Sequence, residues 1–220
     1  AIHREPGHQA DEYFETNLKG AENVCKFAEK IDCKNIFFTS SIAVYGLCIE
    51  PTDESKRPCP ITPYGGSKYP AELIHQMWQN RDLTKRRLII SRPGVIFGPG
   101  DPGNIFRMIK AVKKGYFAFP GSPEIHKSYA YIFGFMESIQ FMMNRHEKML
   151  IYNYVETPTQ SIREIVEITK KTIGSRAPII SIPPWVLLFV SSILLKVYKK
   201  SNSIHPIRVK KAGTPTHIVP

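Results

Sequence analysis

Tyr64 and Lys68 stand four residues apart in Tyr64-Gly65-Gly66-Ser67-Lys68. Residues at this spacing share one face of a helix. An ammonium beside a phenol favours the phenolate and draws its pKa, ordinarily about 10, towards neutrality. A phenol tuned in this way exchanges protons with an alcohol or a carbonyl at working pH. Taken alone, the pair is also what an exposed helical pair looks like, so the neighbouring segments decide. Upstream, Thr39-Ser40-Ser41 closes a short apolar run and Ile42-Ala43-Val44-Tyr45-Gly46 follows it. A hydroxyl there can hydrogen-bond an alcohol oxygen whose proton Tyr64 handles. Downstream, a second apolar run through Ile90 leads into Arg92-Pro93-Gly94-Val95 and the turn Gly98-Pro99-Gly100-Asp101.

The elements that must position these groups alternate. Residues 11–30 read as a helix, with Phe14, Leu18, Ala21, Val24, Phe27 and Ala28 at three- and four-residue steps. Residues 35–39 form an apolar run suited to a buried parallel strand, residues 40–46 leave it as a loop, and 50–60 read as an exposed loop. Thr62-Pro63 fits an N-cap followed by proline at the first helical position. The helix it opens runs to about Asn80, with a kink expected at Pro70. Strands at 88–91 and 151–155 and helices at 105–114 and 161–173 complete the alternation, and Phe141-Met142-Met143 reads as core. This pattern predicts an α/β fold, a Rossmann-like doubly wound parallel sheet with crossover helices and a smaller C-terminal lobe. Such sheets present ligand contacts at the C-terminal ends of their strands, where Ser41 and Arg92-Pro93 fall.

These segments resemble the extended short-chain dehydrogenase/reductases, in particular the NAD-dependent epimerase/dehydratase family acting on nucleotide sugars. Phe14-Glu15-Thr16-Asn17-Leu18-Lys19-Gly20 resembles the family's helix opening, and Ala1-Ile2-His3-Arg4 the end of its strand beneath the cofactor. The likeness is good over residues 1–115 and looser over 116–220, and is greatest to epimerases of bacterial polysaccharide clusters. It implies a Rossmann part over 1–115 and a substrate lobe over 116–220, from which 151–155 returns as a Rossmann strand. It also implies catalysis by Ser41, Tyr64 and Lys68. Tyr64 would be general base and acid, Lys68 would hold the nicotinamide ribose and tune Tyr64, and Ser41 would bond the reacting oxygen. Ala1, His3, Thr16, Thr39, Pro93, Gly94 and Val95 would line NAD, or NADP in its place. Asn104, at a helix N-terminus that favours anions, would meet the substrate diphosphate, and Lys127 stands where many members carry arginine.

The resemblance further implies transient oxidation at C4 of a nucleotide-linked sugar and its return on the other face. Relatives that eliminate water carry an acid and a base after the serine, whereas this chain has Ile42 and Ala43 there. Elimination therefore lacks its proton carriers. A 4-ketoreductase or hydroxysteroid-type dehydrogenase on the same scaffold is the alternative enzyme, and a non-catalytic nucleotide-binding relative the alternative outside enzymes. No G-x-G-x-x-G occurs. The family carries its glycine turn in a first strand–turn–helix, so about two βαβ units of roughly 30 residues each are expected ahead of Ala1, and the piece alone is expected to be inactive. A homodimer is expected of the longer protein.

Bulk properties narrow the classes. The 220 residues carry a net charge of +11, which suits an anionic ligand or membrane surface. Nucleic acid is not expected, because the basic residues are scattered and no groove-reading element accompanies them. Cys25, Cys33, Cys48 and Cys59 form no C-x-x-C pair and no histidine sits at zinc spacing, so they read as reduced cytosolic thiols and no metal is assigned. His3, His75, His126 and His217 are dispersed, and hydrogen-bonded structural roles are expected for them. The apolar run from Trp185 is shorter than the ~20 residues of a spanning helix. It reads first as a buried or partner-facing helix. The second reading is a helix lying on a membrane surface through residues 182–200.

Overall fold

The computed structural model describes residues 2, 7–176, 178–197, 211 and 213–220. Its elements run α1 (Ala10–Lys30), β1 (Asn35–Thr39), a short 3-10 turn (Ile42–Tyr45), β2 (Cys48–Thr52), α2 (Pro63–Asn80), β3 (Arg87–Pro93), β4 (Val95–Phe97) and α3 (Asn104–Lys113). Then come β5 (Ala118–Pro120), β6 (Tyr129–Tyr131), α4 (Ile132–Met143), β7 (Met149–Tyr154), α5 (Ile162–Ile173), β8 (Ile180–Ile182), α6 (Pro184–Val197) and β9 (Thr216–Ile218). The chain divides into two compact units. One takes the chain up to Ile96 with Ser128–Glu156 and His217–Pro220; the other takes Phe97–Lys127 and Thr157–Thr216. Helix α3 packs on α5 within the second of these units.

In the first unit β1, β3 and β7 form a parallel sheet with β3 at its centre. Thr39 pairs with Ser91, and Ser91 with Tyr152, so the C-terminal ends of all three strands lie together. As a central strand with both faces covered, β3 is apolar without alternation: Leu88, Ile89 and Ile90 are all buried. On one face Cys25 and Ala28 of α1 and Trp78 of α2 pack on Ile36, Leu88 and Ile90. The buried stripe of α1 is Tyr13, Asn17, Ala21, Cys25 and Ala28. That corrects the predicted apolar stripe: Phe14, Val24 and Phe27 are exposed. Apart from Tyr13 the buried residues are small, which allows α1 to approach α2 closely, while Val24 and Phe27 stay outside.

Three further expectations change. Cys48–Thr52 is a strand, paired with β9 from the far end of the chain, where an exposed loop was expected to begin. Helix α4 was not foreseen, because Ile132–Met143 is apolar nearly all round. Phe141 and Met143 on it are exposed rather than core. Its last turn is closed from outside: the Arg87 guanidinium donates to the carbonyls of Met142 and Met143, both at 2.8 Å. A cation on terminal carbonyls satisfies groups that the helix itself cannot. Helix α2 carries Pro70 in its interior and is opened by Thr62, whose hydroxyl accepts from Gly65 N at 3.2 Å.

The second unit holds a parallel pair, β5 with β8, and a core of Val112, Phe119, Ile162 and Val166. Its helix α5 has a reciprocal cap: Ser161 Oγ accepts from Glu164 N, and Glu164 accepts from Ser161 N at 2.7 Å.

Ile90 is fully buried in the central strand. Ile90→Ala is expected to cost about 2–5 kcal/mol in denaturant unfolding; a loss below ~1 kcal/mol would place β3 outside the core.

Candidate active site

The first turn of α2 is seated on the turn that follows β1. A Cβ at Gly65 would lie 2.3 Å from the Ala43 carbonyl oxygen, so only glycine allows this approach. Tyr64 precedes that contact on one side, and Ser41 lies two residues before it on the other. Ser41 is half-buried and caps the 3-10 turn, its Oγ accepting from Ala43 N at 3.2 Å. The capping bond uses a lone pair and leaves the hydroxyl proton to donate. Ile42 is packed with Val44, Tyr45 and Cys48 in the core.

One helical turn beyond Tyr64, Lys68 is buried and donates from Nζ to the Thr39 carbonyl at 2.6 Å. The ammonium also lies 4.2 Å from the centre of the Phe38 ring. Burial pulls its pKa down to about 8, with the charge of Glu72 opposing. Tyr64 is half-buried, its ring edge-on to Tyr13 with centroids 6.5 Å apart. Between them, Ser67 ties α2 to α1: Asn17 Nδ2 donates to Ser67 Oγ at 2.8 Å, and Ile2 N donates to Asn17 Oδ1 at 3.1 Å.

Beneath these residues runs a buried polar network. Glu72 accepts two bonds from Arg92, at 2.6 Å from Nη2 and 3.0 Å from Nε. Arg92 Nη1 donates to the Tyr45 hydroxyl at 2.8 Å, and Tyr45 donates to Asn153 Oδ1 at 2.9 Å. Asn153 Nδ2 donates onward to the Val219 carbonyl at 3.0 Å. Glu72 is 0% and Arg92 4% exposed. Burial works against the guanidinium's charge, but the bonds and charge of Glu72 outweigh it and hold its pKa above the ordinary value. Burial pushes the Tyr45 phenol up, Arg92 opposing. The network joins α2, β3, the Ser41–Tyr45 turn, β7 and the C-terminal residues. The sequence reading missed Glu72, Tyr45 and Asn153. The available signal was the register Tyr64, Lys68, Glu72, each four residues from the last.

The remaining predicted residues fare differently. Thr16 and Thr39 have exposed side chains, Thr16 next to Asn17 and Thr39 at the end of β1. Gly94 N and Val95 N donate to the carbonyls of Tyr154 and Ser128, both at 2.9 Å, and Pro93 has no N–H. A carboxamide at this segment would have to meet a carbonyl oxygen. Asn104 is the first residue of α3 and exposed, its Oδ1 accepting from Arg107 Nη2 at 2.6 Å. Lys127 is buried and donates to the carbonyls of Lys211 and Thr214. Burial first, then the charge of Lys211, draws its pKa down to about 8. Ala1 and His3 lie outside the described residues. His75 is buried, stacked on Phe38 with centroids 4.2 Å apart and bonded to the Ala71 carbonyl at 2.7 Å, as a structural histidine.

The parallel α/β sheet, with Ser41, Tyr64 and Lys68 near the end of β1, has the arrangement that the resemblance to short-chain dehydrogenase/reductases leads one to expect. The chain belongs to the NAD dependent epimerase/dehydratase family, whose model matches residues 4–153. It is 34% identical over 215 residues to an N-acetyl-alpha-D-glucosaminyl-diphospho-ditrans,octacis-undecaprenol 4-epimerase from Escherichia coli O157:H7, covering 96% of this chain and 65% of that one. The UDP-glucuronic acid 4-epimerase of Bacillus cereus, solved with NAD, superposes with a TM-score of 0.72 at 19% identity, covering 81% of this chain and 60% of that one. The UDP-glucose 4-epimerase of Thermus thermophilus, also with NAD, gives 0.65 at 20% identity over 91% and 65%.

Removing one member of a buried pair strands the other charge. Glu72→Ala is therefore expected to lose about 3–5 kcal/mol in denaturant unfolding. Adding Arg92→Met to Glu72→Leu should recover most of that loss; a double variant no better than Glu72→Ala would show that the pair is not the source.

Proposed function

We propose that the whole protein interconverts C4 epimers of a sugar carried on a diphosphate. The observation that carries this reading is the seating of α2 on the Ser41 turn, which brings Ser41, Tyr64 and Lys68 to the end of β1. Tyr64 takes the proton of the reacting hydroxyl and gives it back. Ser41 donates to the same oxygen and so keeps it in place through both changes. Lys68, held by Thr39, sets a positive charge one turn from Tyr64 and favours its phenolate. With Ile42 in the core and Ala43 beside it, no carboxylate follows Ser41 to remove water.

The donor set suits the nicotinamide end of NAD. Lys68 has N–H bonds beyond the one given to Thr39, and the hydroxyls of Thr16 and Thr39 are exposed. When bound, the nicotinamide would supply reversible oxidation at the sugar carbon. A nucleoside diphosphate is the first reading of the carrier. A second reading, a polyprenyl diphosphate, is favoured by the printed activity of the 34% identical relative. Exposed Val24 and Phe27 on α1 and Leu73 and Met77 on α2 support pairing with a second copy.

Three outcomes test the reading. Tyr64→Phe is expected to lower turnover by ~10²–10⁴-fold while diphospho-sugar binding persists; near-normal rates would make the assigned base wrong. Lys68 is charged below its pKa of about 8 and neutral above it. The rate should therefore fall as pH rises through about 8, and this alkaline limb should be absent from the slow variant Lys68→Met. Phe27→Glu with Met77→Glu should yield monomers in light scattering; unchanged mass would place the dimer contact elsewhere.

A further inference from the structure

Helix α6 is apolar on both sides. Its inner side carries Ser191, which is fully buried, and its outer side carries Trp185, Phe189 and Ile193 at 71%, 65% and 45% exposure. These three recur every fourth residue and so form one stripe. The serines add no polarity to it, because Ser191 and Ser192 turn their hydroxyls back to the Leu188 carbonyl at 2.9 and 2.7 Å. A helix that is apolar all round is ordinarily covered all round. Here one side is buried and the other is open.

Charge says what covers the open side. No Asp or Glu follows Glu167, while Lys170, Lys171, Arg176, Lys196, Lys199, Lys200, Arg208, Lys210 and Lys211 do. Nine of the +11 net charges thus fall in one uninterrupted cationic segment with α6 inside it. A second copy would bring the same uncompensated positive segment, like charge against like. An anionic bilayer surface offers the reverse: phosphates for the lysines and an acyl boundary for the stripe. Tryptophan suits that boundary, with an apolar body and a polar N–H. Fourteen residues reach ~21 Å, short of a hydrocarbon core of ~30 Å, and among the described residues no helix is long and apolar enough to cross a membrane.

We propose that α6 is a docking helix that beds Trp185, Phe189 and Ile193 into the headgroup region of an anionic membrane, held there by the basic residues that precede and follow it in the sequence. The docking stands on its own. Its use, to bring the site to a lipid-carried diphospho-sugar, rests on the polyprenyl reading above.

The test is flotation of the whole protein with vesicles of phosphatidylcholine alone or with one third phosphatidylglycerol, with turnover of a soluble UDP-sugar measured in parallel. The protein should float with anionic vesicles, far less with neutral ones, and lose binding as salt rises. Trp185→Glu with Phe189→Glu should cut the bound fraction at least tenfold with its melting curve and soluble turnover unchanged. Lys199→Glu with Lys200→Glu should weaken binding to anionic vesicles alone. Three results would overturn the proposal: no flotation of the unaltered protein, flotation indifferent to all four substitutions, or a Trp185/Phe189 variant whose only change is its oligomeric mass. Failed flotation with intact turnover removes the docking and spares the epimerase reading; flotation without turnover of any diphospho-sugar does the opposite.

Discussion

The bidentate bond between Glu72 and Arg92 is the constraint on which the site depends. Both side chains are withdrawn from water, and neither charge is tolerable there without the other. Glu72 sits one turn beyond Lys68 on α2, and Arg92 lies near the end of β3, so the pair fixes how that helix lies against the sheet. Arg92 then reaches Tyr45, and Tyr45 reaches Asn153. The turn carrying Ser41 and the neighbouring strand are thereby held to the same two charges. A hydrophobic contact would allow these pieces to slide; a planar guanidinium between a carboxylate and a phenol does not.

The inner face of α2 is correspondingly unusual for a packed helix. Ser67, Lys68, Glu72, His75 and Gln79 are all buried on it. Each described partner is directional: Asn17 for Ser67, the Thr39 carbonyl for Lys68, Arg92 for Glu72 and the Ala71 carbonyl for His75. Placing an ammonium in this setting costs stability, which is visible in the depressed pKa of Lys68. Strain or burial kept against stability is what functional groups require. The apolar work of holding α1 and α2 to the sheet is done by Cys25, Ala28, Trp78, Leu88 and Ile90, behind the polar row.

The sheet was legible in the sequence because β1, β3 and β7 are short apolar runs separated by helices, and Tyr64 and Lys68 were legible because a helix repeats nearly every four residues. Glu72 extends the same register but was passed over, since a lone carboxylate on a helix ordinarily faces water and its partner lies twenty residues away. Tyr45 and Asn153 are 108 residues apart, beyond any local pattern. Strand β2 failed for the same reason, its partner β9 being formed by the last residues of the chain. Helix α4 escaped because it lacks a polar face to set a period. On α1 the period was right and the phase partly wrong: Ala21 and Ala28 are buried as read, but Tyr13, Asn17 and Cys25 complete the stripe in place of Phe14, Val24 and Phe27.

The central claim is that Ser41, Tyr64 and Lys68 serve one reversible oxidation at the carbon whose configuration changes. The most direct measurement is proton NMR of a UDP-linked or polyprenyl-diphosphate-linked N-acetylhexosamine incubated with the whole protein and NAD in deuterium oxide. Oxidation at C4 and return predicts that both C4 epimers appear with protium still at C4, because that hydrogen never becomes a solvent proton. Deuterium incorporated at C4, or a C4 configuration unchanged on both carriers, would contradict the account.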